Sequence, residues 1–320
     1  MRQTFYILTA LIALLPAALH SQTATQTQPA SQNSWFRTSL EVAGGFFYGG
    51  MNEFVYERGE ILSLIDWQER FIPYTALTAT FEVKNIQLYL NFMSALPMQS
   101  GIVEDFDFMD PASASHSHYS QHEAALEHHL EVNPVIGYEL ALGNFSIIPA
   151  AGIMYRIRKW TANDGYTQYP GQPKRDLAGA IITYEESIWF PEISLGLSHT
   201  FFKRFTVLLE GSFYPYLEVK TTDTHIVRLT RFYDTMKGGM GGYAGIKLYY
   251  SPKHSDKMDF MLGAAWEGLY SQKGSIASGA VGYGEPDDLI ISRADQSKIE
   301  SSIWWFSLGI VVYPEKLWQF

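Results

Sequence analysis

Residues 77–92 read Leu-Thr-Ala-Thr-Phe-Glu-Val-Lys-Asn-Ile-Gln-Leu-Tyr-Leu-Asn-Phe. Leu77, Ala79, Phe81 and Val83 fall on one face of an extended chain, and Thr78, Thr80 and Glu82 on the other. Lys84-Asn85 is a short turn. Leu88, Leu90 and Phe92 then alternate with Gln87, Tyr89 and Asn91. Two strands, each apolar on one side and polar on the other, suit a sheet with lipid outside and a polar interior. The same period of two recurs at Val207, Leu209 and Phe213 against Thr206, Glu210 and Ser212, and again at Leu308, Ile310 and Val312. A soluble sandwich would alternate too, so the spacing of the loops has to decide.

Short turns (84–85, 142–144, 203–204 and 251–257) alternate with long polar stretches near 52–60, 97–123, 161–181, 221–237 and 271–298. Short turns on one side and long loops on the other mark outer-membrane barrels, and five long loops imply about ten strands. They are expected near 36–51, 61–83, 86–96, 124–142, 145–160, 182–201, 205–220, 238–250, 258–270 and 299–313. Several exceed the ~9–11 residues that cross a bilayer, so an all-β, ten-stranded antiparallel transmembrane β-barrel projecting above the outer membrane is expected. Pro73, Pro149, Pro191 and Pro215 fall inside these strands, where bulges above the membrane are expected to accommodate them. The chain ends in Phe320, and a terminal aromatic resembles the assembly signal of bacterial outer-membrane proteins.

The start of the chain supports export. Arg2 precedes an apolar run at 7–19, broken by Pro16, with cleavage expected near Ser21. That run is shorter than the ~20 residues of a spanning helix and reads as a signal peptide over 1–21. Residues 22–34 are rich in Gln, Thr and Ser and read as a disordered leader, which leaves 35–320 for the barrel domain. The chain has no cysteine, which removes disulfides, thiolate catalysis and zinc–thiolate sites. A net charge of −10 argues against nucleic acid as a partner and suits cationic peptides.

Two pairs carry the chemistry: Asp105-Phe106-Asp107 and Asp223-Thr224-His225. In an extended strand, residues i and i+2 share a face roughly 6–7 Å apart. Strand ends facing each other across a barrel would set two carboxylates against an Asp–His couple, an arrangement able to hold and deprotonate a water. Around these pairs lie Glu53-Phe54-Val55-Tyr56, Leu64-Ile65-Asp66-Trp67, Glu104 to Asp110, Thr222 to His225, and Ala265-Trp266 followed by Gln272-Lys273-Gly274. These five segments, in this order, resemble the omptin family of outer-membrane endopeptidases over most of the mature chain.

The resemblance implies that Asp223 and His225 form a catalytic couple, with His225 as general base and Asp223 orienting its ring. Asp105 and Asp107 would be the opposing pair, Asp105 holding the attacking water. Glu53 matches the acid at the floor of the pocket for a basic side chain before the scissile bond. The family's second pocket acid falls on Thr221, so one charge is missing there. Another family acid, which favours a basic residue after the cut, falls near His118, and dibasic specificity is not carried over.

The lipopolysaccharide-binding Tyr-x-Glu-x-Arg of the family falls on 153–157, which reads Ile-Met-Tyr-Arg-Ile. This departure puts dependence on that lipid in doubt. Arg156, Arg158 and Lys159 nonetheless form a basic cluster of the kind that pairs with lipid headgroups. His116, His118, His122, His128 and His129 read as a solvated, pH-sensitive loop, not a metal site, and no metal or cofactor is implied. Gly238-Gly239-Met240-Gly241-Gly242 reads as small residues in a barrel wall, and Trp304-Trp305 as an interfacial girdle. The expected function is an outer-membrane endopeptidase cutting proteins or cationic peptides beside basic residues, its site facing outside the cell. The alternative is a catalytically inactive barrel of the same family serving as an adhesin or receptor.

Overall fold

A computed structural model describes residues 36–109, 115–253, 257–281 and 291–314. The expected signal peptide and leader, Asp110 and the tail at 315–320 lie outside the described residues. Ten strands form the barrel wall. They are β1 (Phe36–Glu57), β2 (Glu60–Val83), β3 (Ile86–Ala95) continued by β4 (Met98–Asp107), and β5 (His118–Tyr138) continued by β6 (Leu140–Leu142). Next come β7 (Phe145–Gln168), against whose upper end β8 (Arg175–Asp176) folds back, and β9 (Ala180–Phe201). β10 (Phe205–Tyr214) is continued by β11 (Glu218–His225), β12 (Thr230–Lys237) by β13 (Gly239–Tyr250), and β14 (Met258–Ser271) by β15 (Gly274–Ala280). β16 (Ile291–Val312) pairs with β14 and β15 on one side and β1 on the other, which closes the ring.

The alternation works as expected. On β3, Ile86, Leu88, Leu90 and Phe92 are exposed outside, while Gln87, Tyr89, Asn91 and Met93 line the lumen. Outward Tyr48, Phe71, Trp189, Tyr270 and Trp304 ring the upper edge of the apolar band. Trp305, by contrast, points inward and packs on Phe47 and Tyr74, because the period of two sends adjacent residues to opposite faces. Gly239 and Gly241 do sit in the wall. A Cβ on Gly239 would lie 2.2 Å from the Tyr270 carbonyl oxygen, and one on Gly241 would lie 2.6 Å from the Leu269 side chain.

Strand boundaries depart from expectation. The polar stretches read as long loops are largely strand: β1 and β2 meet through Arg58-Gly59 alone, β4 runs to Asp107, and β11 and β12 are joined by residues 226–229. Polarity there marks water on both faces, whereas the ladder hydrogen bonds continue regardless. With 22 residues in β1 and 24 in β2, the wall rises well above the bilayer. The prolines also differ from expectation. Pro149 and Pro191 sit in unbroken register with Leu195 and Ile153, and Pro215 lies in the break between β10 and β11. Only Pro73 lies beside a bulge, where Phe71 adopts φ 52°.

Two layers of side chains fill the middle of the lumen. Trp67, Trp160 and Tyr184, all fully buried, meet with ring centroids 5.6–5.9 Å apart. Beneath them Arg158 pairs with Glu186 at 2.6 Å, and Arg156 bridges Glu131 at 2.5 Å and Glu267 at 2.7 Å. A polar cavity of about 600 Å³ lies lower still, lined by Glu41, Tyr89, Asn91, Glu210, Lys247 and Tyr249. Arg156 and Arg158 therefore do not offer their charge to lipid headgroups. They face inward on β7, and of the basic cluster only Lys159 turns outward, to Glu127 and Glu185. Removing the cation of a buried ion-pair layer leaves uncompensated carboxylates. Arg156→Met is expected to cost about 3–5 kcal/mol of stability, and Arg156→Lys less, read by guanidinium unfolding of the refolded barrel in detergent.

Candidate active site

Above the aromatic layer the strands end in a cup, beyond the lipid-facing band. β4 brings Asp105 and Asp107 to its inner face, since both share the parity of buried Val103. β11 does the same for Thr221, Asp223 and His225, in line with buried Val219. Glu53 enters from β1, two residues beyond buried Met51. Every side chain proposed from the sequence thus faces one lumen at one end of the barrel. All lie within strands, Asp107 and His225 as the last residues of β4 and β11, although the loop bounds expected from polarity (52–60, 97–123 and 221–237) enclose them.

His225 Nε2 donates to Asp223 Oδ2 at 2.7 Å, in a pair whose side chains are only 13% and 5% exposed. Burial alone would lower the imidazole pKa. The Asp223 charge and hydrogen bond outweigh it, Asp105 adds to them, and the pKa ends above the usual 6.5. Asp105 is buried and accepts a 3.1 Å hydrogen bond from Ser63 Oγ of β2. Burial, then the Asp107 charge, push its carboxyl up to about 6, against the pull of His225, Ser63 and Arg228. Asp105 and His225 stand close enough for each to shift the other's titration.

Thr221 does not leave an empty position. Its Oγ1 donates at 2.9 Å to Oδ2 of Asp234, its antiparallel partner on β12, a residue the sequence reading missed. A hairpin with a four-residue turn at 226–229 would have revealed it, because that turn sets 234 opposite 221. Glu53 and Asp234 lie within hydrogen-bonding reach of one another. Burial, then the charges of Asp223 and Asp234, raise the Glu53 carboxyl well above its usual range. Burial likewise raises Asp234 to about 7, against hydrogen bonds from Thr221 and Glu53.

Of the five histidines only His116 lies exposed outside a strand. His118, His122, His128 and His129 belong to β5. A register shift between Leu126 and His128 turns His128 outward and leaves His122 and His129 buried inside. His122 Nδ1 donates to the Asp164 carbonyl at 2.5 Å, and burial holds its pKa below 6.5. His118 meets Ser117 Oγ at 2.9 Å and packs edge-on to Tyr169 at 4.8 Å. The arrangement of an Asp–His couple opposite a buried carboxyl, over a floor of buried aromatic rings, can bind and polarise one water beside an extended peptide.

A family model described as the Omptin family matches residues 36–311. The chain belongs to the omptin family. Membership makes it an outer-membrane protein and, at the level of reaction class, a protease acting on proteins or peptides. The outer membrane protease OmpT from Escherichia coli is similar in structure, with a TM-score of 0.76 at 17% identity, covering 91% of this chain and 99% of that one. That likeness shows the fold. The transport unit of the autotransporter AIDA-I from Escherichia coli (TM-score 0.38, 10% identity, 95% and 96% covered) is a far weaker match. The outer membrane protein OprG from Pseudomonas aeruginosa (TM-score 0.34, 9% identity, 87% and 96% covered) is weaker again, and neither carries an argument. No curated protein sequence matches this omptin.

The couple has a spectroscopic signature. In an NMR titration of the refolded omptin barrel, the His225 ring is expected to titrate above 6.5. Asp223→Asn is expected to lower that midpoint, because burial then acts with less opposition. A midpoint unmoved by the substitution would contradict the pairing.

Proposed function

We propose that this omptin is an endopeptidase that hydrolyses peptide bonds beside basic residues with a water activated by His225. The observation that carries this reading is the 2.7 Å Asp223–His225 pair facing buried Asp105 over a closed aromatic floor. With Nε2 engaged by Asp223, Nδ1 is the nitrogen that takes a proton from water. Asp105 holds that water on its other side, and Asp107, next on the same face, shares its negative field. The hydroxide attacks the scissile carbonyl carbon. The proton held on His225 passes to the departing amine, so no covalent enzyme intermediate forms. Asp223 keeps the ring oriented and stabilises the imidazolium, as the third member of a triad does.

The short turns at 84–85 and 143–144 lie at the other end of the barrel from the site. The site's end has the two-residue Arg58-Gly59 turn but also the longer connections between β4 and β5 and between β7 and β9, and the longer connections of such barrels are extracellular, so the cup opens outside the cell. Its cluster of carboxyls attracts cationic peptides before contact, and Glu53 receives the basic side chain. The aromatic and ion-pair layers fill the lumen beneath the site, which favours this reading over a small porin.

Three measurements test the proposal on purified, refolded protein. His225→Ala and Asp223→Ala are each expected to lower kcat for a fluorogenic basic peptide by about 10³–10⁴-fold while the unfolding midpoint stays put. Full activity in either variant would reject the assigned couple. kcat/KM is expected to fall as pH drops through the raised His225 pKa, because the base must be neutral to accept a proton. Ionisation of Asp105 near 6 steepens the same acid limb. Glu53→Gln is expected to weaken turnover of basic substrates more than of neutral ones, and equal effects would remove Glu53 from the pocket.

A further inference from the structure

We infer that Asp234 supplies the second carboxylate of the socket for the basic side chain, in place of the acid absent at 221. This rests on the reading above that Glu53 receives that side chain. Asp234 is 2% exposed and Glu53 3% exposed. Apart from the contact between the two carboxyls, Oδ1 of Asp234 and Oε2 of Glu53 have no hydrogen-bond partner. Oδ1 of Asp223 is a third such oxygen beside them. Buried carboxylate oxygens are normally satisfied, so several orphaned around one space point to a missing donor. Among the described residues no Lys or Arg forms an ion pair with Glu53 or Asp234.

The geometry lets a carboxylate at 234 reach the space that one at 221 would face. Thr221 and Asp234 are directly paired across β11 and β12, and both point into the lumen. A carboxylate moved from one member of a cross-strand pair to the other stays within about 5 Å of its original place. Thr221 then becomes its support, holding Oδ2 and leaving Oδ1 turned to the pocket. Glu53 on β1 and Asp234 on β12 offer one oxygen each from different strands. A guanidinium presents its nitrogens as a planar fork able to meet two such acceptors at once, whereas an ammonium is a point donor. An arginine side chain is therefore the ligand that the pair fits best.

In the unliganded socket the two carboxyls share a proton, since adjacent acids resist double ionisation. The titratable groups around it are Asp223 on β11, Asp105 on β4 and Tyr184 on β9. A cationic side chain replaces the shared proton.

The test reads binding separately from cleavage. Two octapeptides, identical except for one arginine or one norleucine, are titrated by calorimetry into the cleavage-silent His225→Ala barrel. The arginine peptide is expected to bind more tightly. Adding Asp234→Asn is expected to weaken the arginine peptide roughly 10- to 100-fold and leave the norleucine peptide unchanged. Moving the acid back, Thr221→Asp with Asp234→Thr, is expected to restore the preference, which a purely structural role of Asp234 would not. An arginine-to-norleucine ratio unchanged by Asp234→Asn, or equal affinities before it, would overturn the assignment. A wild-type barrel that binds arginine selectively yet cleaves nothing would reject the hydrolase reading and leave Asp234 in its role.

Discussion

In hydrocarbon no water is available to satisfy a backbone N–H or C=O, so a spanning sheet has to close on itself. In this chain β1 meets β16 in register from Leu40↔Val312 to Val55↔Ser297, and the pairing continues around all ten strands. Closure forces alternate side chains inward, and an interior of ten strands has to be filled. The Trp67–Trp160–Tyr184 cluster and the ion pairs of Arg156 and Arg158 fill it. They turn a tube into a cup, with a floor on which chemistry can be built.

That floor also sets the electrostatics. Carboxyls standing on buried aromatics lose hydration, and crowding from Asp223, Asp107 and Asp234 raises their proton affinity further. Asp105 near 6 and Asp234 near 7 are therefore poised close to neutral pH, although solvated aspartates are not. The Asp223 charge raises the imidazole as well, so one small space holds carboxyls and a base that all titrate above their usual values. Perturbed groups gathered in a cleft are the usual signature of a working site.

Much of this was legible along the chain. Period-two alternation around residues 77–92 identified the two-faced wall, and the i, i+2 spacing of Asp105/Asp107 and Asp223/His225 put each pair on one face. Strand ends were less legible, because hydropathy reports where lipid stops and not where the ladder stops. Arg156 and Arg158 were misread as lipid-facing, although outward Ile153 and Tyr155 put both on the opposite parity. The histidines of 118–129 were misread for a similar reason, since polar composition in a strand bathed by water looks like a loop. Asp234 was missed because its partner is set by a turn geometry that composition does not report.

The sequence by itself determined the number of strands, the two-faced character of the wall, the shared face of each i, i+2 pair and the order of the acidic motifs. These follow from the pleat of an extended backbone, which is local. Only the tertiary structure decided which of those side chains meet. Glu53 and Asp234 are far apart in the chain and become neighbours only when the ring closes. Their burial, and so their charge, depends on aromatic groups delivered by three other strands. Distance across a lumen and loss of hydration belong to the assembled barrel, and no pattern along a single strand encodes them.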